Sequence, residues 1–262
     1  MSTPTPPSFG PELFRLDGRV AIITGGAGAL GGMVARGFVA AGAAVVLADP
    51  DPAGVALAAE LVAAGGDALA VRVDVTDEAA VDALVAQTVA RWGRLDILIN
   101  AAGASGRGAA LDYDRERFQR ILDLNVTAMF LCCRAAARVM IPAGGGCIVN
   151  YASIAGLVGY PGNPAYLASK GAVVQLTRAL AMEWIGSGIR VNAIAPGVIA
   201  TPVVATQVAG EPAFYEAFQA RHPIGRFGQP EEIVGPTIFL CAPAASFITG
   251  HILAVDGGYV AQ

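Results

Sequence analysis

Tyr166 and Lys170 stand four residues apart in the stretch NPAYLASKGAVVQLTRALAMEWI, Asn163 to Ile185. Apolar residues recur there at three- and four-residue spacing, which predicts a helix with a buried face over 164–185. Residues four apart on a helix share a face. A phenol has a pKa near 10 and is no base at neutral pH. An ammonium held beside it favours the phenolate and lowers that pKa. The pair could then pass a proton to or from a substrate oxygen. A bare Y-x-x-x-K is also met on helices whose tyrosine is half-buried and whose lysine is solvated. The surroundings weigh against that plain reading: Ser153 follows an apolar strand thirteen residues earlier, in NYASIAG. Ligands bind at such strand ends in doubly wound sheets.

A second chemical signal lies near the start, in TGGAGALGG, Thr24 to Gly32. Glycines between a strand and a helix let the backbone turn sharply and approach a pyrophosphate, which then sits at the helix N-terminus. The same glycines would serve a simple tight turn. Asp49 ends the next strand, eighteen residues past Gly31, where an acid can bind the ribose hydroxyls of a dinucleotide. It could instead cap the helix that follows in DPDPAG. A carboxylate at that point disfavours a 2′-phosphate. No Lys or Arg stands between Gly25 and Met33 or between Asp49 and Glu60 to offset it, so NAD(H) is expected rather than NADP(H).

These groups need a scaffold, and the hydropathy pattern supplies one. Short β-branched runs at 20–24, 44–48, 68–73, 95–100, 147–152, 189–194 and 251–256 alternate with helical stretches near 29–41, 53–64, 77–91, 114–141, 164–185 and 230–241. Continuous apolar strands are buried on both faces, as in a parallel sheet. The fold class predicted is α/β, a single doubly wound domain with a seven-stranded parallel sheet and helices on both faces. Residues 16–262 form that domain, and 1–15, rich in Pro, Ser and Thr, form a flexible or surface-draped arm. The stretch 197–229 is too long for a turn and reads as a substrate lid.

Composition narrows the function classes. Across 262 residues, 55% are hydrophobic and 15% charged, so a large core or an oligomer interface must be buried. The net charge of −4 offers no basic footprint for nucleic acid or an anionic membrane. No apolar run reaches the roughly 18 residues of a membrane span, and the start lacks the basic and apolar regions of a secretory signal. Cys132, Cys133, Cys147 and Cys241 have no metal-like spacing and there are only two histidines. Reduced, packed thiols and a cytoplasmic location are the expectation.

Taken together, the motifs make the chain resemble a short-chain dehydrogenase/reductase over Leu16 to Gln262. The residues that carry the resemblance are TGGAGALG (24–31), VDV (73–75), NAAG (100–103), Asn125 in LNV, Ser153, YLASK (166–170) and APGVIATP (195–202). Ala29 stands where the family often has Gly, and Ala is an accepted variant there. The resemblance implies a Rossmann fold and four catalytic residues. Tyr166 is the general acid/base, Lys170 tunes it and binds the nicotinamide ribose, Ser153 hydrogen-bonds the carbonyl, and Asn125 holds a relay water or kinks its helix. It further implies that Gly25, Ala27, Gly28, Ala29, Leu30 and Gly31 cradle the cofactor and that Asp74 and Val75 meet the adenine. Asn100, Ala101, Ala102 and Gly103 line the cofactor and steady the sheet, and Pro196, Gly197, Val198 and Thr201 hold the nicotinamide. Hydride passes directly between that ring and the substrate carbon.

The substrate is expected against 103–107, 154–163 and 198–222. The first two stretches offer Ala104, Ser105, Arg107, Ile154, Leu157, Tyr160 and Asn163. The lid adds Gly197, Val198, Val203, Val204, Gln207, Phe214, Tyr215 and His222. This mainly apolar set suits a secondary alcohol or ketone of modest polarity. Arg107 could bind an anion, although arginines in Gly-rich loops are more often solvated. Within the family the second half is most similar to polyol and gluconate-type dehydrogenases. The rival enzyme reading is a 3-oxoacyl-carrier-protein reductase, and a non-catalytic nucleotide-binding regulator is the rival of another class. The resemblance also implies a homotetramer. Some relatives bind Mg²⁺ through C-terminal carboxylates, and this chain ends at Gln262; otherwise no metal is expected.

Overall fold

Seven strands lie parallel in one sheet in the order β3-β2-β1-β4-β5-β6-β7. They are β1 (Val20–Thr24), β2 (Ala44–Asp49), β3 (Ala68–Arg72), β4 (Ile97–Asn100), β5 (Gly146–Tyr151), β6 (Ile189–Pro196) and β7 (Ile252–Val255). The computed structural model describes residues 10–262. Of the N-terminal arm, residues 1–9 lie outside the described residues. Pro11–Phe14 form a 3₁₀ turn, with the Phe14 ring 6.3 Å from that of Phe239.

The five inner strands, β2, β1, β4, β5 and β6, are buried on both faces because their residues alternate between two cores, whereas the edge strands β3 and β7 are mostly half-buried. Ile22, Val46, Leu98, Ile148 and Val191 face α3 (Glu78–Trp92), α5 (Ala128–Met140) and α6 (Pro164–Trp184). Ala21, Ile23, Val45, Leu47, Ile97, Ile99 and Val149 face α1 (Ala29–Ala40), α2 (Ala53–Ala63) and α9 (Val234–Cys241). Each fully buried Ile, Leu or Phe contributes about 1.5–3 kcal/mol relative to exposure. The helix ends follow local chemistry. Asp77 accepts from Ala79 N and Ala80 N at the start of α3, and Gly93 ends it at φ 72°.

Two stretches depart from the expected pattern. The helix predicted over 114–141 is α4 (Arg115–Leu122) running into α5 through a π turn at Asp123–Thr127. The extra residue is invisible to periodicity, because apolar spacing on either side still fits a helix. The stretch 197–229 holds two helices, α7 (Pro202–Gly210) and α8 (Pro212–Ala220), separated at Glu211 by the proline that opens α8.

The strand order reverses between β1 and β4, a topological switch point. The loops after these two strands touch there. A Cβ added at Gly25 (φ 67°) would lie 2.9 Å from Ala102 N, so only glycine fits. Among the described residues, no helix is long and apolar enough to cross a membrane.

Candidate active site

The sheet brings the C-terminal ends of β4, β5 and β6 together beside α7 and α8, around a cleft of about 330 Å³. Ser153 follows β5 and caps a 3₁₀ turn, its Oγ accepting from Ala155 N at 3.1 Å. Pro164 stands at the start of α6 and sets the helix going, so Tyr166 falls in its first turn and Lys170 one turn later. All three side chains line the cleft.

Lys170 is 4% exposed and donates from Nζ to the Tyr151 carbonyl at 2.6 Å, with Nζ 5.6 Å from the Tyr166 ring centroid. Burial brings its pKa from the ordinary 10.5 down to about 8. Burial also pushes the Tyr166 phenol up, and the neighbouring Ser153 hydroxyl opposes that. The Tyr151 carbonyl was not foreseeable: a backbone acceptor leaves no mark in side-chain spacing.

Asn125 sits fully buried in the π turn. Its Oδ1 accepts from Ala104 N at 2.8 Å. Its Nδ2 donates to Ala104 O at 2.9 Å and to Ser169 Oγ at 2.9 Å. The amide thus clamps the loop after β4 to α6 in both directions, holding Gly103 and Ala104 beside Lys170.

The glycine-rich loop has the shape of an anion cradle. Gly28 caps α1, Ala29, Leu30 and Gly31 form its first turn, and a Cβ on Gly31 would collide with the Gly25 carbonyl oxygen. Asp49 at the end of β2 accepts from Ala27 N at 3.0 Å and from Asp51 N at 2.9 Å. It therefore faces the loop; the cap-like role falls to Asp51, whose Oδ1 accepts from Ala53 N. Asp74 lies exposed past β3, its Oδ1 accepting from Thr76 N and Oγ1, while Val75 is buried. These positions share the carboxyl edge of the sheet, and they fit a dinucleotide.

Leu30, Ala101, Gly103, Pro196, Gly197, Val198 and Thr201 also line the cleft, and Thr201 Oγ1 caps α7 by accepting from Val204 N. Asn100 takes the sheet-steadying part of its expected role. Its side chain is buried in the sheet, with Nδ2 donating to Asn150 Oδ1 at 2.9 Å, which ties β4 to β5. Ala102 N bonds back to Thr24 Oγ1.

On the proposed substrate side, Ala104, Ser105, Ile154, Tyr160, Asn163, Val203, Val204, Gln207, Phe214 and Tyr215 line the cleft. Asn163 Nδ2 donates to Ser105 Oγ at 2.8 Å, tying the two loops together. Phe218, an aromatic the sequence reading did not single out, joins Tyr160 and Phe214 with ring centroids 5.4 and 5.5 Å away. Leu157 and His222 do not line the cleft. His222 is 2% exposed; Val198 N donates to its Nε2 and Nδ1 faces Phe218 O, which assigns its proton to Nδ1 and makes it a strut. Arg107 is not solvated either. Its guanidinium lies 3.7 Å above the Phe214 ring and lines the cleft.

Among the described residues no cluster of three His, Cys, Asp or Glu could hold a metal. At the C-terminus the Gln262 amide donates to the Arg221 and Tyr259 carbonyls.

A family model described as enoyl-(acyl carrier protein) reductase matches residues 25–260. The chain belongs to the short-chain dehydrogenase/reductase family. Family membership makes it an oxidoreductase acting on CH–OH groups with a nicotinamide cofactor. It is 43% identical over 251 residues to the galactitol 2-dehydrogenase (L-tagatose-forming) of Cereibacter sphaeroides, covering 94% of this chain and 97% of that one. It is 45% identical over 245 residues to the cis-4-hydroxycyclohexanecarboxylate dehydrogenase of Sinomonas cyclohexanicum, covering 93% and 97%. Among solved structures, a gluconate 5-dehydrogenase from Burkholderia cenocepacia J2315, in complex with NADP and tartrate, superimposes with a TM-score of 0.92 at 35% identity, covering 96% and 98%.

Proposed function

We propose that this protein is an NAD(H)-dependent dehydrogenase of secondary alcohols, polyol, diol or cyclic in type, with Tyr166 as general acid/base. The observation that carries this reading is the convergence of Ser153, Tyr166 and Lys170 on one apolar cleft beside the glycine-rich cradle. When bound, the nicotinamide accepts or supplies the hydride. The chain's own residues do the rest. The Tyr166 hydroxyl moves the proton at the substrate oxygen. Ser153 Oγ hydrogen-bonds that oxygen and stabilises its developing charge. Lys170 holds positive charge beside the phenol, favouring the phenolate. Aromatic walls from the lid exclude water, which strengthens each of these interactions. Measuring reduction of NAD⁺ across diols, polyols, cyclic alcohols and hydroxy acids tests the reading; no turnover with any secondary alcohol would sink it.

Asp49 supports the choice of NAD(H), since its carboxylate would oppose a 2′-phosphate. The sheet adds a cation that a search along the sequence near Asp49 does not reveal: Arg72 is the register partner of Asp49 on β3. Parent protein should therefore bind NADH more tightly than NADPH, and Asp49→Ala should raise NADPH affinity about tenfold, because the opposing carboxylate is gone while Arg72 stays on the neighbouring strand. Paired fluorescence titrations measure this. Tighter NADPH binding by the parent would overturn the preference and strengthen the carrier-protein reductase alternative.

The homotetramer is supported by apolar side chains left at the surface, Phe130 on α5 and Met182 and Ile185 at the end of α6. Analytical ultracentrifugation at micromolar concentration should give a tetramer; a monodisperse monomer would contradict it.

A further inference from the structure

Among the described residues, Arg107 and Lys170 are the two cations lining the cleft, and Arg107 stands against its aromatic wall. Its backbone is fixed from two sides: Arg107 O accepts from Arg117 Nη2 at 2.6 Å, and Gly108 N donates to Gly162 O at 2.9 Å. Its guanidinium is stacked on Phe214 and lies 5.9 Å from the Tyr215 centroid. With its side chain 25% exposed, this cation needs a counter-charge.

The counter-charge at hand is Glu211, at the break between α7 and α8. Glu211 Oε2 approaches Arg107 Nη1 to 2.8 Å, yet Nη1 is a buried atom with no hydrogen bond of acceptable geometry. The pair is close but poorly aligned. The Glu211 side chain is 54% exposed, so it can turn to water at little cost, whereas stacking holds the guanidinium where it is. One partner is fixed and the other is replaceable.

We propose that Arg107 is a specificity residue that anchors a carboxylate of the substrate, with Glu211 as a displaceable counter-ion that holds the place when no anion is bound. A planar guanidinium offers a carboxylate two parallel N–H donors, an alignment Glu211 does not reach. The Tyr160, Phe214 and Phe218 rings give the cleft an apolar wall. The chemistry that matches is a hydroxy acid with an apolar middle: hydroxyl at Ser153 and Tyr166, apolar middle against the aromatic wall, carboxylate on Arg107. The proposal rests on the reading of this cleft as an alcohol site.

Binding of cyclohexanecarboxylate and of its neutral isostere cyclohexanecarboxamide, measured by calorimetry on protein saturated with NAD⁺, tests it without requiring turnover. Parent protein should bind the carboxylate at least tenfold more tightly than the amide. Arg107→Met should bring that ratio near one. Glu211→Gln, an exposed change that should fold normally, should raise it several-fold because the internal competitor is gone. If the pair is only a latch that closes the lid, both variants weaken both ligands in parallel and the ratio stays put; that result overturns the proposal, as does a parent ratio near one. A parallel turnover assay with cyclohexanol and cyclohexanediols separates the two readings. Lack of any alcohol oxidation defeats the enzyme assignment, while the carboxylate ratio still judges Arg107.

Discussion

Tyr166→Phe should lower turnover by roughly 10²–10⁴-fold, the range of a positioned acid/base, with fold and cofactor affinity retained. The ring stays, so packing in the first turn of α6 is undisturbed; only the hydroxyl beside Ser153 and its transferable proton are lost. Burial raises the phenol's pKa in the protein alone, so the proton must be drawn off by surrounding positive charge, from Lys170 and from the oxidised nicotinamide ring. Single-turnover measurements with saturating cofactor, after circular dichroism confirms folding, isolate the chemical step. Near-parental turnover would end the assignment of Tyr166, and with it most of the mechanism.

Lys170→Met carries the second large effect and splits activity from stability. The variant should lose most turnover and bind cofactor more weakly, because the charge beside the phenol is gone. It should also be the more stable protein at neutral pH. In the unfolded chain the lysine titrates near 10.5, whereas in the fold burial lowers it to about 8. Below about pH 8 both states are protonated and the fold carries the cost of a buried charge, about 3 kcal/mol for that displacement. Losing the Lys170 bond to the Tyr151 carbonyl offsets part of this, leaving a net gain for the variant of about 1–2 kcal/mol. As pH rises from 8 toward 10.5 the folded lysine releases its proton first, the parent gains stability, and the variant's advantage disappears. Urea denaturation of both proteins at pH 7 and pH 10 reads this out. A variant equally destabilised at both pH values would show that the ammonium is not held under a desolvation cost.

Much of this chemistry was legible along the chain because helical and strand periodicities are local properties. Tyr166 and Lys170 share a face through spacing alone, and the alternation of strand and helix determined a parallel sheet whose carboxyl edge must carry the site. The glycine-rich turn was readable for the same reason, since Gly25 and Gly31 sit where a side chain has no room. Element bounds moved by a residue or two at strand ends, in both directions: the run 95–100 pairs only over Ile97–Asn100, whereas β6 continues past 194 to Pro196.

What the chain order does not contain is which distant residues meet. Asn125 belonged to a helix by spacing, but its role as a clamp depends on a π turn and on Ala104 and Ser169, neighbours only in the fold. Asn100 was expected to steady the sheet, but the partner through which it does so, Asn150 on β5, is visible only in the fold. Arg72 reaches the side of Asp49 through sheet register, and Glu211 reaches Arg107 across the cleft. The residue types and their local spacing therefore determined the fold class and the reacting groups. Burial, register and long-range pairing decided the protonation of Lys170, the surroundings of Asp49 and the counter-ion of Arg107. These are electrostatic and packing properties of three-dimensional neighbours, and a one-dimensional pattern has no term for them.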